Sequence, residues 1–394
     1  MKNHNSIIER HSSWLAINSI KGCNRGCKYC FLKECGLNMT KPKIMISPEE
    51  SIKQLKEFHL YDENFPVAIF THTDAFATKE NETFLNELLK LIAKEKLPNP
   101  IVVVTKACPT GIIDEGIELM KKAQRQFIAY ISYSGLKQDV ERGINHDETR
   151  NAFKYFNNLD VPIVHYWRPF LPENSTPEKL QEVLDYVSKY AKASVYDGLK
   201  VYDYMRNQID FWPQLSELCK DDKLFKKIIN CSSIFPFKLE EFFNKIKIPN
   251  NYPIFKRNVC ALNYILNKTN TNGFYKNNDC LKYSKCPCEF REKCKCFYEK
   301  YELNDKIVQK AFKKFNLGEI DFKITKKNDI YLIKVLNKTL SFAEISTLRA
   351  YLSCEIECEK NENDGYWASA TSGAKEMFIE DIKNNIVSKI SLWE

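Results

Sequence analysis

Three cysteines near the beginning of the chain have the spacing of an iron–sulfur ligand set. Cys23, Cys27 and Cys30 follow the pattern C-x3-C-x2-C. This spacing places three thiolates on one short loop, where they can bind three irons of a single [4Fe–4S] cube. The fourth iron would keep an open position for a chelating ligand, because the triplet supplies no fourth thiolate. A zinc loop completed by Cys35, or three buried thiols, are the alternatives.

A second group of cysteines lies much later in the chain and is denser than the first. The residues between its members include Lys, Pro, Glu, Arg and Tyr, so an apolar core is not indicated. The group comprises Cys260, Cys280, Cys286, Cys288, Cys294 and Cys296. In a reducing compartment, thiolates this close together need a metal. We expect a second iron–sulfur cluster at these residues, and zinc is the alternative.

The composition favours a cytoplasmic protein with an anionic partner. The 394 residues include 15 cysteines and carry a net charge of +8. No long apolar run predicts a membrane span, and the first residues lead into no apolar signal core. Basic residues outnumber acidic ones by about a dozen between positions 205 and 343, which favours a polyanion. The aromatic residues expected to stack on bases there are Tyr252, Phe255, Phe274, Tyr275 and Tyr283.

The elements that must position the first cysteine group alternate between strands and helices. The apolar runs that predict strands lie at residues 12–20, 67–70, 101–104, 127–133, 162–166 and 194–202. The amphipathic segments that predict helices lie at residues 47–59, 80–96, 112–125, 146–158 and 176–192. This alternation predicts a parallel sheet with right-handed crossovers. Six units are too few for a closed eight-unit barrel, so we predict an α/β fold with a partial (β/α)6 barrel. Its functional residues should lie at the carboxyl ends of the strands.

The alternation stops after residue 204, and this change predicts two further domains. Residues 205–303 read as a helical, cysteine-rich segment that holds an auxiliary metal cluster. Residues 304–394 read as a small α+β domain. In it we predict a hairpin of residues 322–325 and 330–336, followed by helices at 341–352 and 381–390. The barrel would then occupy residues 1–204.

The cysteine loop, residues 21–31, resembles the cluster loop of the radical S-adenosylmethionine (SAM) superfamily. Residues 12–200 are most similar to the spore photoproduct lyase-like branch of that superfamily. The resemblance implies that the open iron binds the amino and carboxylate groups of SAM. One electron, from a donor such as flavodoxin or ferredoxin, then cleaves SAM to methionine and a 5′-deoxyadenosyl radical that abstracts hydrogen from a substrate. The reaction class stays open among lyase, oxidoreductase and transferase.

The resemblance also places polar side chains around SAM. Thr73-Asp74-Ala75-Phe76 looks like the branch's turn after the second strand, and Glu141-Arg142-Gly143 is also typical of the branch. Lys106 matches a lysine assigned to the SAM carboxylate. The residues implied in cofactor binding are Tyr29, Asp74, Lys106, Ser132, Ser134 and Arg168. The alternatives are that Asp74 caps the next helix and that Lys106 is a solvated loop residue.

One position departs from the pattern of the branch. Spore photoproduct lyases carry a cysteine three residues before the Thr-Asp aspartate, and it returns hydrogen to the product radical. Thr71 occupies this position here. Because an O–H bond is much stronger than an S–H bond, we do not expect repair of the thymine lesion through this residue. Cys108 is the candidate hydrogen donor, and a small buried apolar residue is its alternative role.

Three classes of function stay open at this stage. The first is an enzyme that acts on a nucleic acid or nucleotide. The second is a peptide-modifying enzyme with an auxiliary cluster, in which the last domain binds a leader peptide by adding a strand. The third is a non-catalytic metal-binding scaffold. The sequence does not predict the oligomeric state.

Overall fold

A computed structural model describes residues 6–231, 233–269, 280, 282–327, 329–358 and 376–383. Its strands are β1 (Ile8–Arg10), β2 (Leu15–Ile17), β3 (Ile20–Lys21), β4 (Lys43–Ile44), β5 (Val67–Ile69), β6 (Ile101–Thr105), β7 (Phe127–Ile131), β8 (Ile163–Phe170), β9 (Ala193–Gly198), β10 (Ser233–Phe235), β11 (Ile254–Phe255), β12 (Phe322–Lys327), β13 (Ile330–Val335), β14 (Glu355–Glu357) and β15 (Glu376–Phe378). Its α-helices are α1 (Pro48–Glu57), α2 (Lys79–Lys94), α3 (Asp114–Lys122), α4 (His146–Asn158), α5 (Pro177–Val187), α6 (Pro213–Leu218), α7 (Asp222–Ile229), α8 (Leu239–Phe242), α9 (Asn258–Ile265), α10 (Cys288–Lys300), α11 (Asp305–Lys314), α12 (Phe342–Leu352) and α13 (Ile379–Lys383).

The main sheet has eight strands in the order β1-β2-β5-β6-β7-β8-β9-β11. Every neighbouring pair is parallel except β1 and β2, which are antiparallel. The six predicted strands are confirmed as β2 and β5–β9, and the α/β prediction is confirmed with them. The predicted first strand is shorter than expected because it is interrupted at Asn18. The Asn18 side-chain oxygen accepts hydrogen bonds from the backbone N–H of Thr71 at 2.9 Å and from that of His72 at 3.2 Å.

Side-chain caps set the start of several helices, as the sequence indicated. The Ser47 hydroxyl accepts a hydrogen bond from the Glu50 N–H at 3.2 Å, and Pro48 occupies the first turn of α1. The Thr176 hydroxyl caps α5 in the same way. Helix α4 begins and ends at the predicted residues, after Asn145 as its cap. Each cap satisfies backbone N–H groups that have no partner within the helix.

The two faces of the main sheet pack against different layers. Alternate residues such as Ile69 and Val103 face α1–α5, and we call this side the outer face. The intervening residues, such as Tyr130 and Tyr166, pack with buried residues of α9 and α10 on the inner face. Side chains of a strand alternate between faces, so one sheet can carry both cores. The cysteine-rich helices therefore cover the inner face of the barrel sheet.

The remaining segments only partly match their predictions. Residues 205–250 are not purely helical, because β10 pairs in parallel with β15. The predicted hairpin is confirmed by the antiparallel pairing of β12 with β13, and the predicted helix at 341–352 by α12. Most of the predicted terminal helix lies outside the described residues. The division into three domains stays a prediction, and β11 from the second proposed domain extends the sheet of the first. No helix within the described ranges combines the length and apolarity needed to cross a membrane.

Candidate cluster-binding site

The first cysteine group lies on the loop that follows β3, and two glycines shape this loop. Gly22 and Gly26 have φ angles of +100° and +66°, a region that L side chains rarely adopt. A Cβ atom at Gly26 would lie 2.3 Å from the Met39 sulfur, and one at Gly22 would lie 2.6 Å from the Thr40 hydroxyl. The loop therefore closes tightly against the segment that leads to β4.

The three thiols of this loop are buried or half-buried, and they influence one another electrostatically. Cys23 and Cys27 are buried, and Cys30 is half-buried. Burial raises the pKa of each thiol, that of Cys23 to about 11, and Cys23 and Cys30 further raise the pKa of Cys27. Thiolates would form here only with a compensating cation, which an iron centre supplies. The donor set therefore fits a three-cysteine cluster site. In the part of the chain that the structure describes, no three His, Cys, Asp or Glu side chains are arranged to hold a metal ion.

Glu141 joins the cysteine loop to the ends of β6 and β7. Its side chain is 1% exposed. It accepts hydrogen bonds from the Tyr29 hydroxyl, from Lys106 Nζ at 2.8 Å and from the Ser134 hydroxyl at 2.9 Å. Although burial favours the neutral acid, the charge of Lys106 and these hydrogen bonds hold the pKa of Glu141 below its usual range. Glu141 is therefore an ionised anchor between three predicted site residues.

The Asp74 side chain accepts hydrogen bonds from the end of β6 and does not cap α2, the helix that follows Asp74 in the chain. Its carboxylate accepts hydrogen bonds from the Thr105 hydroxyl at 2.9 Å and from the Lys106 backbone N–H at 2.8 Å. Helix α2 is capped by Thr78 instead. The alternative in which Asp74 caps this helix is therefore wrong, and Asp74 fixes the backbone from which the Lys106 side chain extends.

The alternation that places side chains on the inner face extends to Lys106, Ser132 and Arg168. Lys106 Nζ also donates to the Ser132 carbonyl at 3.2 Å. The Arg168 guanidinium lies 3.7 Å from the centre of the Tyr166 ring. Against the effect of burial, the positive charges of Lys106 and Arg168 lower the pKa of Cys30. Two cations thus lie near the cysteine loop, where an anionic cofactor group would be stabilised.

The segment around Glu141 also pairs with the backbone of the cysteine loop. The Gly143 N–H donates to the Arg25 carbonyl at 2.7 Å, and the Lys28 N–H donates to the Val140 carbonyl at 3.0 Å. The Arg25 guanidinium donates to the Gly143 carbonyl at 3.2 Å. A Cβ atom at Gly143 would lie 2.4 Å from the Arg25 carbonyl oxygen, so this approach requires glycine. The segment Glu141–Gly143 therefore forms one wall of the loop.

Cys108 and Thr71 are not brought into this group of side chains. Burial raises the pKa of Cys108 to about 11, and the next contributions come from Glu148 and Glu82 in the outer helices. Cys108 is half-buried against the outer core. The Thr71 hydroxyl donates to the Asn18 side-chain oxygen at 3.0 Å. The structure thus places Cys108 on the outer side of the sheet, and its role as hydrogen donor stays a prediction.

The second cysteine group divides by exposure. Cys294 is buried, whereas Cys288 and Cys296 are exposed. The other three members, Cys260, Cys280 and Cys286, are half-buried. The aromatic residues nearby correct one expectation: Tyr252, Phe255 and Tyr283 are buried in the core and cannot stack on bases. Phe274 and Tyr275 lie outside the described residues.

Sequence reasoning did not include Glu141 among the site residues. The signal was available in the Glu141-Arg142-Gly143 motif, but its meaning depends on contacts with the distant residues Tyr29 and Lys106. His146 was missed as well, and its Nε2 lies 3.5 Å from the Glu141 carboxylate. Burial lowers the pKa of His146, so a neutral imidazole beside Glu141 is favoured.

Solved structures offer distant likenesses. Streptococcus suis SuiB bound to S-adenosylmethionine is 15% identical to this chain. The match covers 48% of this chain and 41% of the SuiB chain, with a TM-score of 0.36. Spore photoproduct lyase complexed with dinucleoside spore photoproduct is 13% identical, with coverages of 53% and 64% and a TM-score of 0.39. The radical S-adenosylmethionine methyltransferase TsrM from Kitasatospora setae is 12% identical, with coverages of 46% and 35% and a TM-score of 0.34. The chain spans less than two thirds of each of these proteins, and similarities this low carry no argument about function.

A comparison with protein families gives a clearer result. No curated protein matches the chain. The family model described as the Radical SAM superfamily matches residues 17–187. This range includes the three-cysteine loop, Glu141 and the strands from β5 to β8, so the match and the geometry concern the same part of the molecule. Residues 17–187, less than half of the chain, are therefore similar to the radical SAM superfamily.

Proposed function

We propose that this protein cleaves SAM reductively and uses the resulting 5′-deoxyadenosyl radical to abstract hydrogen from a substrate. The observation that carries the proposal is the grouping of three thiols on one loop beside Lys106 and Arg168. Cys23, Cys27 and Cys30 would hold a [4Fe–4S] cluster. When bound, this cluster supplies one electron and an iron with an open position for SAM.

The residues of the chain bind and orient SAM in this proposal. The Lys106 ammonium has three donors, so it can bind the SAM carboxylate while keeping its bond to Glu141. Tyr29 is held by Glu141 beside the cysteines. Ser132 and Ser134 lie at the end of β7, where they would contact the ribose and methionine parts. Asp74 orients Lys106 through its backbone, and the apolar inner face would exclude water from the radical.

We propose a nucleic acid or nucleotide as the substrate. Support comes from the net charge of +8 and from the basic excess between residues 205 and 343. Because three of the aromatic candidates are buried, binding would depend on phosphate contacts more than on stacking, and it should weaken steeply with salt. A peptide is the second candidate, since β12 lies at the edge of the sheet β12-β13-β14 and could accept an added strand.

Further parts of the proposal concern cofactors and location. We propose an auxiliary iron–sulfur cluster on the second cysteine group, with zinc as the alternative. None of the 15 cysteines is joined in a disulfide, which supports a reducing compartment, the cytoplasm. A flavodoxin or ferredoxin would supply the electron. We propose that residues 1–204, 205–303 and 304–394 form the barrel, the auxiliary segment and the terminal domain.

The activity can be tested with one set of variants. Anaerobically reconstituted protein with dithionite and SAM should produce 5′-deoxyadenosine, and the variant Cys23→Ala/Cys27→Ala/Cys30→Ala should produce none. Cys35→Ala is the matched control, because Cys35 lies on the same loop outside the triplet. Product from the triple variant would refute the assignment. Loss of bound zinc in Cys35→Ala would indicate a zinc loop instead.

The substrate class needs a separate experiment. Purified protein should retain RNA or DNA in an anaerobic capture assay, and its affinity should fall steeply as salt rises from 50 to 200 mM. Retention of a peptide with little salt dependence would favour the peptide-modifying function. Weakening the edge strand with Ile324→Pro should then abolish peptide capture, because proline removes a backbone donor.

A further inference from the structure

We infer that the second cysteine group binds a cubane iron–sulfur cluster through four thiolates only and leaves the other two cysteines outside the site. This inference rests on the proposed auxiliary cluster and specifies its ligands. The ligands are Cys260, Cys280, Cys286 and Cys294. The excluded residues are Cys288 and Cys296.

The geometry of α10 separates its three cysteines. Phe290, Cys294 and Tyr298 are spaced four residues apart, lie on one side of the helix and are all buried. Cys288 and Cys296 are exposed. Residues two apart on an α-helix point about 200° from one another, so Cys294 and Cys296 cannot face the same site. Only Cys294 of this helix is directed into the core.

Two ring contacts place Cys294 beside the helix that contains Cys260. Helix α9, which contains Cys260, packs on β9 and β11. The Phe290 ring of α10 lies 5.5 Å from the Tyr264 ring of α9 and 6.0 Å from the Phe255 ring of β11. These ring contacts place the inward side of α10 against α9. Cys260 is accordingly half-buried against the inner-face core that contains Cys294.

A short backbone pairing positions Cys286 at the same place. The Lys285 N–H donates to the Ile254 carbonyl at 2.8 Å, and the Ile254 N–H donates to the Lys285 carbonyl at 3.3 Å. This bridge holds the residue before Cys286 beside β11. Cys286 is then half-buried against the core that contains Cys294. Cys280 packs against this core too.

The mutual electrostatic effects of the thiols agree with this grouping. After burial, the charges of Cys280, Cys286 and Cys294 are the largest influences that raise the pKa of Cys260. Cys280 and Cys294 likewise raise the pKa of Cys286. Cys288, two residues from Cys286 in the chain, contributes to the pKa of Cys286 after these. Such influences fall with distance, which agrees with the proximity that the contacts of α9, α10 and Lys285 indicate.

Four thiolates would complete the coordination of every iron in a cubane cluster. Such a cluster has no open iron, so it cannot chelate a substrate and serves electron transfer or stability. Helix α9, which carries Cys260, contacts the inner face of the main sheet. The Tyr130 hydroxyl of β7 donates a hydrogen bond to the Asn258 carbonyl of α9 at 3.5 Å. The Tyr130 ring lies 5.7 Å from the Tyr166 ring, on which Arg168 stacks. These contacts connect α9, the helix that contains Cys260, to Arg168, whose charge lowers the pKa of Cys30 against the effect of burial.

The test uses the full chain in the triple variant that lacks Cys23, Cys27 and Cys30, so that retained iron belongs to the second group. After anaerobic reconstitution, this protein should keep about four irons and four sulfides per chain. Adding Cys260→Ala, Cys286→Ala or Cys294→Ala should lower iron at least fourfold. The double variant Cys288→Ala/Cys296→Ala is the matched control and should keep all of it.

Several outcomes would overturn the inference. Loss of iron in the control variant would show that Cys288 or Cys296 is a ligand. Zinc in place of iron, or iron that survives Cys294→Ala, would refute the cubane assignment. Each single alanine variant is also made with Cys23, Cys27 and Cys30 intact, where about four irons retained by the first group show that the barrel has folded. If the unaltered protein never cleaves SAM, the proposed function is contradicted. If the triple variant still retains iron in that case, this inference stands.

Discussion

Replacing Glu141 with glutamine should strongly destabilise the metal-free protein, by about 3–5 kcal/mol. The Glu141 side chain is 1% exposed, that of Lys106 is 15% exposed, and their charged atoms lie 2.8 Å apart. Solvent therefore screens this ion pair little. Glutamine keeps the shape of the side chain but removes its charge, so the Lys106 ammonium loses its compensating anion in a mostly buried place.

A double-mutant cycle separates this ion pair from general damage. Lys106→Met alone should cost a similar free energy of unfolding, because it leaves the Glu141 carboxylate buried without its cation. The double variant should cost less than the two single costs together, with a coupling energy of about 2–3 kcal/mol. Unfolding by urea under anaerobic, metal-free conditions measures all four proteins.

The Lys179–Glu182 pair provides a matched control. Its charged atoms are also 2.8 Å apart, but the two side chains are 52% and 58% exposed. Glu182→Gln should therefore change stability by less than about 1 kcal/mol. Additive effects of Lys106→Met and Glu141→Gln, or equal costs for the buried and exposed pairs, would refute the idea that Glu141 fixes the site through its charge.

Three further predictions concern other features. Burial lowers the pKa of His165 to about 3. Unfolding therefore takes up a proton below about pH 6.5. As the pH decreases below this value, the free energy of unfolding should decrease by up to about 1.4 kcal/mol per pH unit. His165→Asn should flatten this slope and exposed His59→Asn should not; equal slopes would contradict the assignment. Gly143→Ala should reduce iron uptake at the first cysteine group, because its Cβ would lie 2.4 Å from a carbonyl oxygen. Gly318→Ala strains its own backbone, because Gly318 has a φ of +77°, but it meets nothing within 4 Å and lies outside the cysteine loop, so it should leave uptake unchanged. With Thr71 in place of a thiol, the enzyme should return no thymine pair from the dinucleotide lesion above background, and efficient repair would show the reasoning wrong.

The sequence was sufficient for features that depend on local pattern. Strand and helix periodicity predicted β5–β9 and the intervening helices, and the Ser47 and Thr176 caps fixed two helix starts. Parallel order followed from the alternation of these elements, and that order placed Lys106 and Arg168 at one edge of the sheet. The spacing of Cys23, Cys27 and Cys30 required only a short loop.

Features that depend on distant contacts could not be predicted in this way. Strand β11 has two residues and therefore no periodicity, and its position comes from pairing with β9. The role of Glu141 arises from partners on the cysteine loop and on β6. Tyr252 and Phe255 stand among charged residues in the sequence but are buried in the structure, because composition does not show which way a side chain faces. The exposure of Cys288 and Cys296, by contrast, was available from helical spacing.

The pairing of Arg25 with Gly143 has a consequence for biosynthesis. These residues are 118 positions apart, and a ribosome adds about 5–20 residues per second. The cysteine loop is therefore synthesised roughly 6–24 seconds before the segment that forms one of its walls. During this interval the three thiols are not yet buried by that wall, so oxidants reach them more easily than in the folded protein. The enclosed form of the loop can therefore exist only after the segment that follows β7 has been translated.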